Sequence, residues 1–191
     1  EMLMGNILKD EFNLDIDEIA LLKLGQKTEN DFVGLNSGIM DQFAVGMGKE
    51  NNAIYLDCNT LEYKYLPLEL GDYEIIIMST NKNHSLAGSK YNERVQECEE
   101  AVKRLNKKLD INKLGELDSD TFDQYTSLID DDTLIRRARH AVSENERTKK
   151  AIDAMEKGDL EELGRLINAS HVSLKYDYEV TGKELDTLAE N

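Results

Sequence analysis

A chain of 191 residues with an apolar fraction of 40% can bury one substantial core or two small ones, and it is no disordered tail. Its 39 acidic against 23 basic side chains leave a formal net charge of −16, a field that repels phosphate backbones and anionic lipid, so nucleic-acid and membrane-surface roles are set aside. Apolar runs such as "EIIIM" fall far short of the roughly 20 residues a membrane-spanning helix needs, and Cys58 and Cys98 stand outside CxxC spacing, so neither a zinc site nor a disulfide framework is expected and a soluble, cytoplasmic setting is.

The opening stretch, "EMLMGNILKDEF", is helical in pattern from its first residue, with Leu3, Ile7, Leu8 and Phe12 on one face and no capping residue ahead of them. With Glu1 in place of an initiator Met, this leads us to expect an internal segment of a longer protein. A second amphipathic helix is expected from Asp15, with Glu18 as its capping-box partner, running on through "IALLKLGQKTENDFVG" so that Glu29 falls near its end. After the "GLNSG" break, "IMDQFA" starts a short helix with Asp41 in its first turn. "AIYLDC" and "LEYKYLPL", joined at Asn59 and Thr60, read as a hairpin with Pro67 at its exit, and "YEIIIMST" reads as a buried strand. The change in composition near Gly71 divides the chain into 1–70 and 71–191.

From Ser89 onward the pattern is almost wholly helical. Tyr91, Val95, Cys98, Val102, Leu105 and Leu109 form one stripe, with Glu99–Lys103 and Glu100–Arg104 pairs on another face. A long helix closes at Gly158, a further one follows through Leu160, Leu163, Ile167, Ser170 and Leu174, and a Thr181–Glu184 capping box opens a last helix carrying Leu185 and Leu188. These helices are expected to cover a sheet.

No phosphate loop is visible: "GMGKEN" lacks the third glycine of a dinucleotide fingerprint, and neither Gly-Lys-Glu triplet completes a Walker pattern. His84, His140 and His171 share no ligand spacing and are assigned no catalytic role. Asp41 carries two readings. It can be a first-turn carboxylate that accepts backbone N–H groups, or an ionised carboxylate in a partly dry site that takes a proton from a substrate hydroxyl. Spacing alone favours the structural role.

The blocks "GQKTENDFVGLNSGIMDQF", "LDCNTLEYKYLPL", "STNKNHSLAGSKYNERVQECEEA", "RRARHAVSENERTKKAIDAMEKGD" and "SHVSLKYDYEVTGKELDTL", collinear over essentially the whole chain, resemble galactokinases, a family within the superfamily that includes mevalonate and homoserine kinases. The resemblance implies a two-domain α+β fold and ATP-dependent phosphorylation of galactose at its C1 hydroxyl. It implies that Asp41 is the base or orienter at that hydroxyl, that Glu29 helps hold Mg2+, that Tyr91 contacts the sugar, and that Ser37 and Gly38 shape the pocket wall. On spacing, Tyr91 could equally be a core residue. His84 departs from the Arg often found in that block, which leaves an ionic role there without support. The early arginine motif, the phosphate loop and the late glycine-rich motif of the family are not in these 191 residues, so the chain alone is expected to be inactive; the parent is expected to be a monomer. A sugar- and ATP-binding transcriptional sensor, an N-acetylgalactosamine kinase and a structural module with a capping Asp41 are the competing expectations.

Overall fold

The computed structural model describes residues 1–34, 36–81 and 90–190, with the side chain of Tyr91 left aside; His84 therefore lies outside the described residues. The chain divides into two compact units, Glu1–Glu69 and Leu70–Asn191.

In the first unit, helix α1 (Met2–Glu11) has no side-chain cap, while α2 (Glu18–Thr28) begins at Asp17, whose Oδ1 accepts the Ala20 N–H at 2.7 Å. The cap is thus Asp17 and not Asp15, because Asp17 lies three residues before a free backbone donor of the first turn. A single π turn, Glu29–Val33, extends α2, and α3 (Met40–Met47) follows. The direction of the α1 face also differs from expectation. Leu3, Ile7, Leu8 and Phe12 are exposed, whereas Met2 is buried with Leu21, Leu22, Ile39 and Phe43. Periodicity marks a face, and only the neighbouring helix decides which face turns inward. Helices α2 and α3 come so close that a Cβ on Gly46 would stand 2.5 Å from Leu22 Cδ2.

Strands β1 (Asn52–Leu56) and β2 (Tyr63–Pro67) form the antiparallel hairpin, with Ile54 opposite Tyr65. Asp57 builds its turn: Oδ1 accepts from Asn59 N at 2.7 Å and Thr60 N at 3.2 Å, and Leu61 takes a left-handed φ of 62°. The hairpin covers the small core with Ile54 and Leu56, and Tyr63 meets Phe43 edge-on at 5.2 Å.

The second unit is built from α4 (Tyr91–Leu105), α5 (Ser119–Tyr125), α6 (Asp132–Lys157), α7 (Leu160–Ser173) and α8 (Lys183–Glu190). Aspartates start three of them: Asp118, Asp131 and Asp159 accept the N–H groups of Thr121, Leu134 and Glu162. Gly158, at φ 68°, closes α6 as expected. Ala101, Leu105, Leu114, Phe122, Ile129, Ala138 and Val142 make the core, with Cys98, Val102 and Leu109 packed on it.

Four expectations need correction here. The "YEIIIMST" run is no strand, and Ile75, Ile76 and Ile77 are 65%, 75% and 93% exposed; among the described residues no strand lies beside it, and an extended segment without a partner has no ladder to join. Among the described residues the helices of this unit likewise pack on one another and not on a sheet. Lys103 pairs with Glu100 at 3.4 Å, not with Glu99, while the Glu100–Arg104 pair forms at 2.9 Å. Ile167 is 62% exposed, and it lines, with Leu163, Leu166 and Ser170, an open pocket against Glu144, Arg147 and Ala151 of α6.

A polar knot ties this unit together. Arg94 and Arg137, both buried, share the Glu97 carboxylate at 2.5 and 3.1 Å, and they donate to the carbonyls of Tyr178 and Asp177 at 2.6 and 2.5 Å. They thereby hold the π turn Leu174–Tyr178 that extends α7. His140 stacks on Tyr178 with centroids 4.3 Å apart, and its Nδ1 meets Ser173 Oγ at 2.9 Å.

Candidate active site

Where α2 runs out into its π turn, Glu29 and Asn30 face the segment that leads into α3. Ser37 stands between them, its N–H donating to Asn30 Oδ1 at 3.1 Å and its hydroxyl lying 2.9 Å from Glu29 Oε2 and 3.0 Å from Asn30 Oδ1. Gln26 fixes the other side of Ser37, donating from Nε2 to its carbonyl at 3.0 Å. From α3, Gln42 Nε2 reaches the same Glu29 Oε2 at 2.8 Å. One oxygen of Glu29 thus takes two donors, while Oε1 accepts nothing from the described residues. Hydrogen-bonded and half-buried, this carboxylate is held in place by its donors.

Asp41 is in the first turn of α3, where the sequence places it, but in neither of the two environments considered. Its side chain is exposed and makes no hydrogen bond or ion pair with the described residues, so it does not cap its helix, and nothing in this unit shields it from water. The reason is helical phase: with Gln42, Phe43 and Gly46 turned inward, a step of 100° carries Asp41 out. Gly38 opens onto free space, with nothing within 4 Å of where a Cβ would stand. Tyr91 is the first residue of α4 in the other unit, and its side chain is outside the described set. The structure therefore brings together Glu29 and Ser37, adds Gln26, Asn30 and Gln42, and leaves Asp41 open beside them in sequence. Gln42 escaped the sequence reading, although its place between Ile39, Phe43 and Gly46 on the inward face of α3 marked it as a polar residue among apolar ones.

No three His, Cys, Asp or Glu side chains among the described residues could cage a metal by themselves. A Mg2+ ion carried by nucleotide phosphates asks for less, one or two carboxylates, the rest being phosphate and water. The uncommitted Oε1 of Glu29 fits that demand.

Residues 1–49 match the family described as GHMP kinases N terminal domain. Over 191 residues the chain is 98% identical to the galactokinase of Limosilactobacillus reuteri (strain DSM 20016), and over 190 residues it is 77% identical to that of Limosilactobacillus fermentum; each match takes in 100% of this chain and 49% of the relative. The chain spans about half the length of the curated relatives it matches. Among solved structures, that of Lactococcus lactis galactokinase complexed with galactose is similar with a TM-score of 0.96 and 59% identity, over 100% of this chain and 49% of that one. Along its whole length the chain is similar to galactokinases, and its fold is of the α+β class.

Proposed function

We propose that the protein carrying this chain transfers the γ-phosphoryl group of ATP to the C1 hydroxyl of α-D-galactose, giving galactose 1-phosphate and ADP. The observation that carries this reading is the 98% identity to a galactokinase through all 191 residues. The anchored Glu29 and the open Asp41 agree with it chemically.

Phosphoryl transfer needs an aligned nucleophile and positive charge on the transferred group. Asp41, unpaired and exposed on its own unit, is free to accept the C1–OH proton or to hold that hydroxyl in line as its oxygen bonds to the γ-phosphorus and the bond to ADP breaks. Glu29 would hold Mg2+, which when bound neutralises phosphate charge. Tyr91 and Gly38 would contact the sugar. Residues 1–70 would be the rest of an N-terminal kinase domain, and residues 71–191 part of a C-terminal one. A monomer in the cytoplasm, where ATP is at hand, completes the proposal, and the 191-residue chain by itself is expected to be inactive.

Phosphorus NMR of the full-length protein with Mg2+, ATP and galactose tests the reading. A new anomeric sugar-phosphate resonance, lost in Asp41→Asn, is expected. No such resonance while galactose still binds would overturn the kinase assignment, and turnover by the 191-residue chain alone would overturn the expected inactivity.

A further inference from the structure

Gln42 is 6% exposed, on the inward face of α3 beside Phe43. Its Nε2 donates to Glu29 Oε2, and its Oε1 is buried with no partner among the described residues. Burying an amide with one end unmet carries a desolvation cost that an apolar side chain of similar size would avoid. Packing therefore gives no reason for glutamine at this position, and the bond to Glu29 does. Ser37 supplies the second donor to the same oxygen and is itself held on both sides by Gln26 and Asn30. Both donors meet Oε2 and neither meets Oε1, so a quarter turn of the carboxylate about its last torsion would lose both bonds.

Resting on the reading of Glu29 as the magnesium-holding carboxylate, we infer that Gln42, with Ser37, is a positioning residue: the pair locks the Glu29 carboxylate so that Oε1 is presented to the metal. Gln42 touches neither substrate nor metal and acts through Glu29 alone. Partners that orient a metal-binding carboxylate in this way commonly carry a 10–100-fold effect on metal affinity, by the general order of magnitude.

The test is a Mn2+ titration of the full-length protein with a non-hydrolysable ATP analogue present, following the electron paramagnetic resonance signal of free Mn2+. Four forms are compared: wild type, Gln42→Met, Glu29→Gln and the double variant. Gln42→Met should weaken Mn2+ binding about tenfold, with galactose affinity unchanged. The double variant should bind Mn2+ no more weakly than Glu29→Gln, since a residue acting only through Glu29 has nothing left to act on. Wild-type Mn2+ affinity in Gln42→Met, or effects that multiply in the double variant, overturns the positioning role. If instead Glu29→Gln binds Mn2+ as wild type does, the reading of Glu29 itself falls. Should Gln42→Met fail to fold, Ser37→Ala takes its place in the cycle, with weaker Mn2+ binding and the same non-additivity expected; full additivity would again overturn the role.

Discussion

His140 shows how far one side chain's surroundings can move its chemistry. Burial against Tyr178 pushes its pKa down to about 4, with Asp177 pulling it up and Arg147 adding to the depression. The unfolded chain, with histidine near 6.5, binds a proton that the folded chain refuses between those two values, so stability rises with pH across that window. The urea midpoint should therefore fall as the pH is lowered from 7 to 5, and it should fall clearly less in His140→Asn. The carboxylates held low by their donors, Glu146 by Ser119 and Glu179 by Arg137, add to this loss mainly as the pH falls below 5. Asp41 stands on the open face of α3. Exposed and unbonded, it should be replaceable by Asn with a change within about 0.5 kcal/mol in stability, as for surface sites generally, measured by thermal melting, even though the same substitution is expected to abolish turnover. Its type and its place in the first turn of α3 were legible in the sequence. Its exposure was not, because that depended on which face of α3 meets α2.

Among the elements, the π turn after α7 depends on two guanidiniums that the helical pattern did not expose. Arg94 and Arg137 are 1% and 3% accessible, and Glu97 is the carboxylate they share. Removing one member of a buried ionic cluster leaves its partners charged and uncompensated, at a cost of about 3–5 kcal/mol. Glu97→Ala should lower stability by that order in denaturant titrations and loosen α7 against α6, visible as faster amide exchange at 174–178. In the other unit, Gly46→Ala would drive a methyl group to 2.5 Å from Leu22 Cδ2. Overpacking of this kind typically costs about 1–3 kcal/mol, and the loss should appear in the same titrations.

For the molecule as a whole, the exposed run Ile75–Met78 stands against the net charge. It is β-branched, apolar, without proline and accessible along its length, the composition that favours intermolecular strand pairing. A charge of −16 opposes association, and salt screens that repulsion. Light scattering of the 191-residue chain should therefore show association that increases with ionic strength, and Ile75→Lys combined with Ile77→Lys should suppress it without altering helix content. Association that falls with added salt would contradict this account.

What the sequence determined by itself is what local chemistry can encode: the acid excess, the hairpin, the helices around α4, α6 and α7, the closure at Gly158, and the blocks that resemble galactokinases. Caps and 3.6-residue periodicity act over a few residues, so they are written in the chain. The tertiary structure alone decided the outward turn of Leu3, Ile7 and Leu8, the exposure of Ile75–Ile77, the burial of Arg94 and Arg137, and the convergence of Ser37 and Gln42 on Glu29. Each of these depends on a partner distant in sequence, through burial and hydrogen bonds that no local pattern specifies.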